Sequence, residues 1–202
     1  GDLTFRTNQS PDITPPRVTF SINSGTRYTN NRYVMLFVTA EDDSGTVTKM
    51  RFSNHQGRVW SPEHDFNSLW RWLLHEGEGE KRVSVQVKDA AGNWSEMLTQ
   101  TIIFDTTAPV LSDIIMPGNS SSQISMDFSD NLSGVNTSAI RIYLDNTDIS
   151  TNMQITGDTI SCRVEPSSGS HTVRVYLEDN AGNAKTDEWS FTMERLDSRR
   201  VE

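Results

Sequence analysis

Residues 83–93, Val-Ser-Val-Gln-Val-Lys-Asp-Ala-Ala-Gly-Asn, come back ninety residues later as Val-Arg-Val-Tyr-Leu-Glu-Asp-Asn-Ala-Gly-Asn at 173–183. In each copy every second residue is aliphatic until the acid. That period places one face of an extended segment on a core and the other toward water. The Asp-x-Ala-Gly-Asn that follows supplies an acid for an Asx turn and a glycine that accepts positive φ. A strand and a turn repeated at matching places describe one folded module used twice. A chain of 202 residues accommodates two modules of about 100 residues each.

Turn signals cut each half into about seven short alternating runs, and no helical period is sustained. In the first half the runs centre on Val18–Ile22, Tyr33–Ala40, Val47–Phe52, Leu69–Leu74, Val83–Val87 and Leu98–Phe104. The Tyr33 run is apolar on both faces, which predicts a central strand partly covered on its outer side. In the second half they centre on Val110–Ile115, Ile124–Phe128, Ile140–Leu144, Ile160–Val164, Val173–Leu177 and Trp189–Met193. The reading is all-β, two tandem sandwiches at 14–106 and 107–194. Residues 1–13 read as a leader or linker and 195–202 as a linker or tail, so the chain reads as a piece of a longer protein.

Charge narrows the partners. Residues 14–106 carry 11 acids against 10 lysines and arginines, whereas 107–194 carry 12 against 4. An acidic second module disfavours nucleic acid and anionic membrane, both of which need clustered cations, and it suits a cation. No apolar run reaches the roughly 18 residues of a membrane span, so no membrane insertion is expected. Cys162 is the single cysteine. It rules out an intrachain disulfide, and its alternation with Ile160 and Val164 reads as core.

The quoted turns, together with Trp60-Ser61, Trp72-Leu73, Gly77-Glu-Gly79, the Asp105-Thr-Thr-Ala-Pro109 joint, Gly169-Ser-His171 and Trp189-Ser-Phe191, resemble the bacterial and archaeal Ig-like repeats of secreted and cell-surface proteins. The resemblance covers nearly all of 14–194. It implies an Ig-like, fibronectin III-like sandwich in an extracellular setting, serving as a stalk, spacer or adhesion segment beside other domains of its parent chain. It also implies an alternative: a carbohydrate- or partner-binding accessory of an extracellular hydrolase.

In that topology the entry to a sandwich, its B–C loop and its F–G loop share one end. Asp105 at the joint then meets Asp130 and Asn131 of one loop and Asp179 and Asn180 of the other. Carboxylates and carbonyls converging there would hold a hard, oxygen-seeking ion, and calcium at the joint is the expectation. Asp12, Asp42, Asp43 and Asp89 are the counterpart in the first module. The same acids also read as Asx-turn formers that only satisfy backbone donors. Trp94 and Trp70 are candidates for stacking on a glycan, Trp94 reading as exposed. Against this, the alternation of Trp70 with Trp72 reads as sheet-face packing.

No enzyme is expected. His55, His64, His75 and His171 lack ligand spacing, and neither a nucleophile elbow nor a phosphate-binding loop occurs. The expected partners are a glycan or surface protein and the neighbouring domains of the parent chain.

Overall fold

A computed structural model describes residues 10–43, 45–118 and 121–194. The expected tail 195–202, most of the expected leader, and Ser44 of the first acidic turn lie outside the described residues. Contacts divide the chain into two compact units. One holds the residues through Arg27 with Asn31–Phe104, and the other holds Tyr28–Asn30 with Asp105 onward. Each is an all-β sandwich.

The strands are β1 (Arg17–Ile22), β2 (Tyr28–Thr29), β3 (Tyr33–Glu41), β4 (Val47–Ser53), β5 (His64–Asp65), β6 (Leu69–Leu73), β7 (Gly79–Asp89) and β8 (Leu98–Phe104). They continue as β9 (Val110–Ile115), β10 (Gln123–Ser129), β11 (Arg141–Leu144), β12 (Thr147–Asp148), β13 (Met153–Thr156), β14 (Thr159–Arg163), β15 (Gly169–Glu178) and β16 (Ala184–Met193). Helical structure among the described residues is confined to single 3-10 turns at Asn23–Gly25 and Ser150–Asn152.

In the first unit one sheet runs β1-β3-β6, and in the other β8, β7, β4 and β5 follow one another. The second unit pairs a β13-β14-β10-β9 sheet with a β12-β11-β15-β16 sheet. Taking β9, β10, β13 and β14 as strands A, B, D and E, and β11, β15 and β16 as C, F and G, this is the A-B-E-D against C-F-G order of an Ig sandwich. β15 and β16 pair antiparallel and stay in register from Gly169–Met193 to Glu178–Ala184.

Alternation builds each core. Val34, Leu36 and Val38 of one sheet and Met50, Phe52, Val83, Val85 and Val87 of the other are all at most 1% exposed and form one cluster. The second unit repeats this with Ile124, Met126, Ile142, Ile160, Val173, Val175 and Leu177, and Cys162 lies among them. Burying each such aliphatic contributes about 1.5–3 kcal/mol.

β3 is the central strand of its sheet and its outer face is partly covered, as its apolar residues suggest: Tyr33 is 49% and Phe37 41% exposed, beside Leu69 and Leu73 of β6. One expectation needs correction. The final strand begins at Ala184, not Trp189. Its first half is polar because that stretch of an edge strand has little core to cover, so alternation could not reveal it.

Candidate functional site

Turn chemistry at one end of the second unit gathers its acids. Asp179 ends the β15 arm, and its Oδ1 accepts the Ala181 and Asn183 N–H groups at 2.8 Å each. Its Oδ2 accepts Asn183 Nδ2 at 2.6 Å. Gly182 takes φ +90° to close the turn, which an L side chain would strain. The same Asn183 amide also donates to the Asp105 carbonyl at 2.9 Å, tying the entry segment to the F–G turn.

Asp105 accepts the Thr107 N–H through Oδ1 at 3.0 Å and the Ser133 N–H through Oδ2 at 2.9 Å. Asp130 Oδ1 accepts the Leu132 and Gly134 N–H groups at 3.1 and 2.7 Å. Asn180 Nδ2 braces the two loops by donating to the Ser133 and Gly134 carbonyls, each at 2.9 Å. Asn131 is exposed.

The outcome is a cluster in which Asp105, Asp130 and Asp179 bring one carboxylate oxygen each within 4.8 Å of one another. Asp105 is 0% and Asp179 1% exposed. Among the described residues no lysine or arginine forms an ion pair with any of the three. Asp130 Oδ2 is out of solvent without a hydrogen-bond partner, as is Oγ of Ser133, a residue 3% exposed. At an effective dielectric of about 20, charges this far apart repel by roughly 3–4 kcal/mol per pair. The donors within the turns offset part of that cost, and nothing offsets it at Asp130 Oδ2.

Oxygens on a shared Ca²⁺ at about 2.3–2.6 Å lie up to roughly 5 Å apart, and carboxylate oxygens within 4.8 Å of one another meet that requirement.

Parts of the pattern recur in the first unit. Asp12 Oδ1 accepts the Thr14 N–H at 2.9 Å, and Asn93 Nδ2 donates to the Asp12 carbonyl at 3.2 Å. Asp12, Asp42 and Asp43 form the corresponding group, of which only Asp43 is fully exposed. Asp89 is not part of that group; its oxygens accept from Gly92 N, Asn93 N and Asn93 Nδ2. Burial pushes its carboxyl upward, but the Asn93 side chain and the turn N–H groups outweigh that and hold it below the ordinary carboxylate value.

The tryptophans have protein groups on their rings. Trp94, expected exposed, is half-buried, with Arg51 Cζ 4.1 Å and Lys88 Nζ 5.3 Å from its ring centre. Arg51 also reaches Trp60 at 4.6 Å and is fixed by Gln86 Oε1, which accepts from its Nε and Nη2. The cation alternates with the rings because β4 and β7 put Arg51 opposite Gln86 on the outer face, a long-range pairing that spacing alone does not show. Trp70 stacks on Phe52 at 5.6 Å and meets His64 in a tilted contact at 4.5 Å.

Two histidine arrangements are invisible in the sequence. His55 and His75 meet with ring centres 5.4 Å apart. His171 contacts Asp145 Oδ2 through Nδ1 at 2.6 Å and the Ser167 carbonyl through Nε2 at 2.8 Å. The Asp145 carboxylate, then the Ser167 carbonyl, raise His171 above the ordinary histidine value, while His171 and the Thr172 N–H lower Asp145.

The fold and its end loops define a pair of Ig-like sandwiches with the acids of the second drawn to one end. Comparison with known proteins agrees on the class: residues 32–106 match the family model of the bacterial Ig-like domain. No curated protein matches the chain. Among solved structures, the fibronectin(III)-like modules of Clostridium thermocellum CbhA are 13% identical, with 91% of this chain and 98% of that one covered at a TM-score of 0.50. The three N-terminal domains of the bacteriophage RB49 outer capsid protein Hoc are 11% identical, covering 90% and 71% at 0.49. The PKD1 domain of Vibrio anguillarum Epp is 18% identical, covering 46% and 98% at 0.35. At such identities the likeness is one of fold.

Proposed function

We propose that this chain is a non-catalytic structural and interaction segment of a larger secreted or surface protein, and that calcium locks its second sandwich. Ig-like and fibronectin III-like modules are typical of extracellular proteins, where calcium is plentiful, and no helix among the described residues is long and apolar enough to cross a membrane. One observation carries the reading: three carboxylates converge without a cationic side chain, and one buried oxygen has no donor. Asp105, Asp130 and Asp179 supply the charge. Calcium bound only to the folded unit would join the entry segment to both loops, so that the segment resists being peeled away.

The test is calorimetric melting of the full chain in EDTA and in millimolar calcium. A ligand at 100 times its dissociation constant adds about 2.7 kcal/mol, which moves the midpoint of a sandwich this size by roughly 10–20 °C. Coincident melts in EDTA and calcium would reject the calcium lock. Turnover of polysaccharide by the isolated chain would reject the non-catalytic assignment.

A further inference from the structure

We propose that His55 and His75 form a two-imidazole site for a borderline divalent transition ion, Zn²⁺ in the first place, separate from the carboxylate cluster. His55 lies in the turn after β4 and His75 in the loop after β6, so they are twenty residues apart in sequence and adjacent in the folded first unit. Both are exposed and accessible to an ion from solvent. Their ring centres are 5.4 Å apart, with planes at 82°. Nitrogen ligands lie about 2.0–2.1 Å from zinc, and two imidazoles sharing a tetrahedral ion hold their centres roughly 5 Å apart. The ring-centre spacing is therefore compatible with both imidazoles reaching one ion, ring rotation bringing a nitrogen of each toward it.

A second observation concerns the tautomer. His75 Nδ1 lies 3.1 Å from the Glu76 carbonyl oxygen. A carbonyl only accepts, so Nδ1 carries the proton and Nε2 keeps its lone pair. A backbone carbonyl holding the other ring nitrogen is the usual outer-shell device of a metal-binding histidine.

The surroundings also fit. The two rings share a pocket of about 320 Å³ with Gln56, Glu80, Lys81 and Arg82. The two cations there are already committed: Lys81 Nζ donates to the Glu76 and Glu78 carbonyls, and Arg82 Nε to Glu80 Oε1. Burial, and then Arg32, lower the Lys81 ammonium below its ordinary value. Gln56 and Glu80 line the same pocket, and water completes the shell. Imidazole ligation selects zinc, nickel or copper over calcium, so the two sites would sort ions by chemistry.

The experiment uses the full chain, stripped with EDTA and then given excess calcium to fill the carboxylates. Nickel is titrated against the amide NMR spectrum, and zinc against heat. Paramagnetic broadening is expected to centre on residues 54–57 and 75–82, with saturable zinc binding. His55→Gln and His75→Gln should each weaken zinc at least tenfold, while Asp130→Asn leaves it within twofold. Zinc affinity that survives both histidine substitutions, or nickel broadening centred on Asp130, overturns the proposal. So does the absence of any binding, since the rings are then in edge-to-face contact only.

Discussion

Replacing Asp130 by Asn separates the two jobs that the acids of the second unit perform. Asp130 Oδ1 serves the turn, accepting from Leu132 and Gly134, and an asparagine carbonyl can keep both bonds. Oδ2 serves nothing within the chain. An amide there removes one charge from the triplet and puts a donor where the unpartnered oxygen stood. Each of its two repulsions amounts to roughly 3–4 kcal/mol at a dielectric of about 20. Asp130 is only partly buried, and salt and water penetration screen it, so the recoverable part is about 1–3 kcal/mol. Without calcium the variant should therefore melt later than the parent chain, by roughly 5–15 °C for a unit of this size. In calcium the order should reverse, because the variant has lost a ligand and gains little from the ion. Calorimetry of both proteins, each in EDTA and in calcium, reads the four midpoints. An Asn variant that melts earlier than the parent in EDTA would show that Asp130 is a turn-former alone. A variant with an undiminished calcium response would show that the ion binds elsewhere.

Other expectations follow from the same geometry. His171 rises above its ordinary value in the fold, so its stabilisation is full below about pH 6.5 and fades as pH climbs through the raised folded value. Asp145 moves the other way, so its share is present above the ordinary carboxylate value and disappears as pH falls through its lowered one. Hydrogen exchange at the β11–β15 pairing should be slowest between those limits, and His171→Gln should abolish the dependence on the alkaline side. Trp94→Ala should destabilise the first unit by about 1–2 kcal/mol, since it removes a ring from the Arg51 ladder. An unchanged melting midpoint would mean the ring is not held there. Gly57→Ala should cost more than 1 kcal/mol: its φ is +78°, and a Cβ would sit 2.8 Å from Met97 Sδ and 3.3 Å from Trp60. A midpoint equal to the parent's would show that the turn relaxes.

The parts of the fold that the sequence revealed are those governed by local rules. Alternation exposes a strand wherever one face is buried and the other wet, as in β7 and β15, whose aliphatic residues are almost wholly buried. It fails where a strand lacks that contrast. The 185–188 stretch of β16 is polar throughout, and β13 pairs at a sheet edge with only partial burial. The cluster acids could be picked out because Ig topology puts an entry and two particular loops at one end. Their division of labour could not, because it depends on which oxygen a backbone N–H reaches. Asp89 and Asp179 stand in nearly identical pentapeptides and make the same bonds to the asparagine at +4, yet only Asp179 shares a cluster. The histidine pair and the Arg51 ladder depend on strands distant in sequence, and residue spacing carries no trace of either.

The Asp-x-Ala-Gly-Asn turn thus has a role that neither of its first readings contained alone. Its acid orders the turn by accepting three bonds, and its asparagine reaches back to the carbonyl of the entry acid, Asp12 in one unit and Asp105 in the other. The turn therefore fixes the entry segment whether or not an ion is bound. An ion can add to that where a second loop brings its own acid beside the entry acid, as Asp42 does for Asp12 and Asp130 does for Asp105, with Asp130 keeping one oxygen unspent. Calcium binding and loop closure are then cooperative uses of the same carboxylates, the turn bonds holding Asp179 in place for the ion. A variant that loses the Asn183 amide, Asn183→Ala, should loosen the entry segment in EDTA and weaken calcium as well, because Asp179 loses its 2.6 Å partner. Loosening without any change in calcium affinity would separate the two uses and place the ion's hold on Asp130 and Asp105 alone.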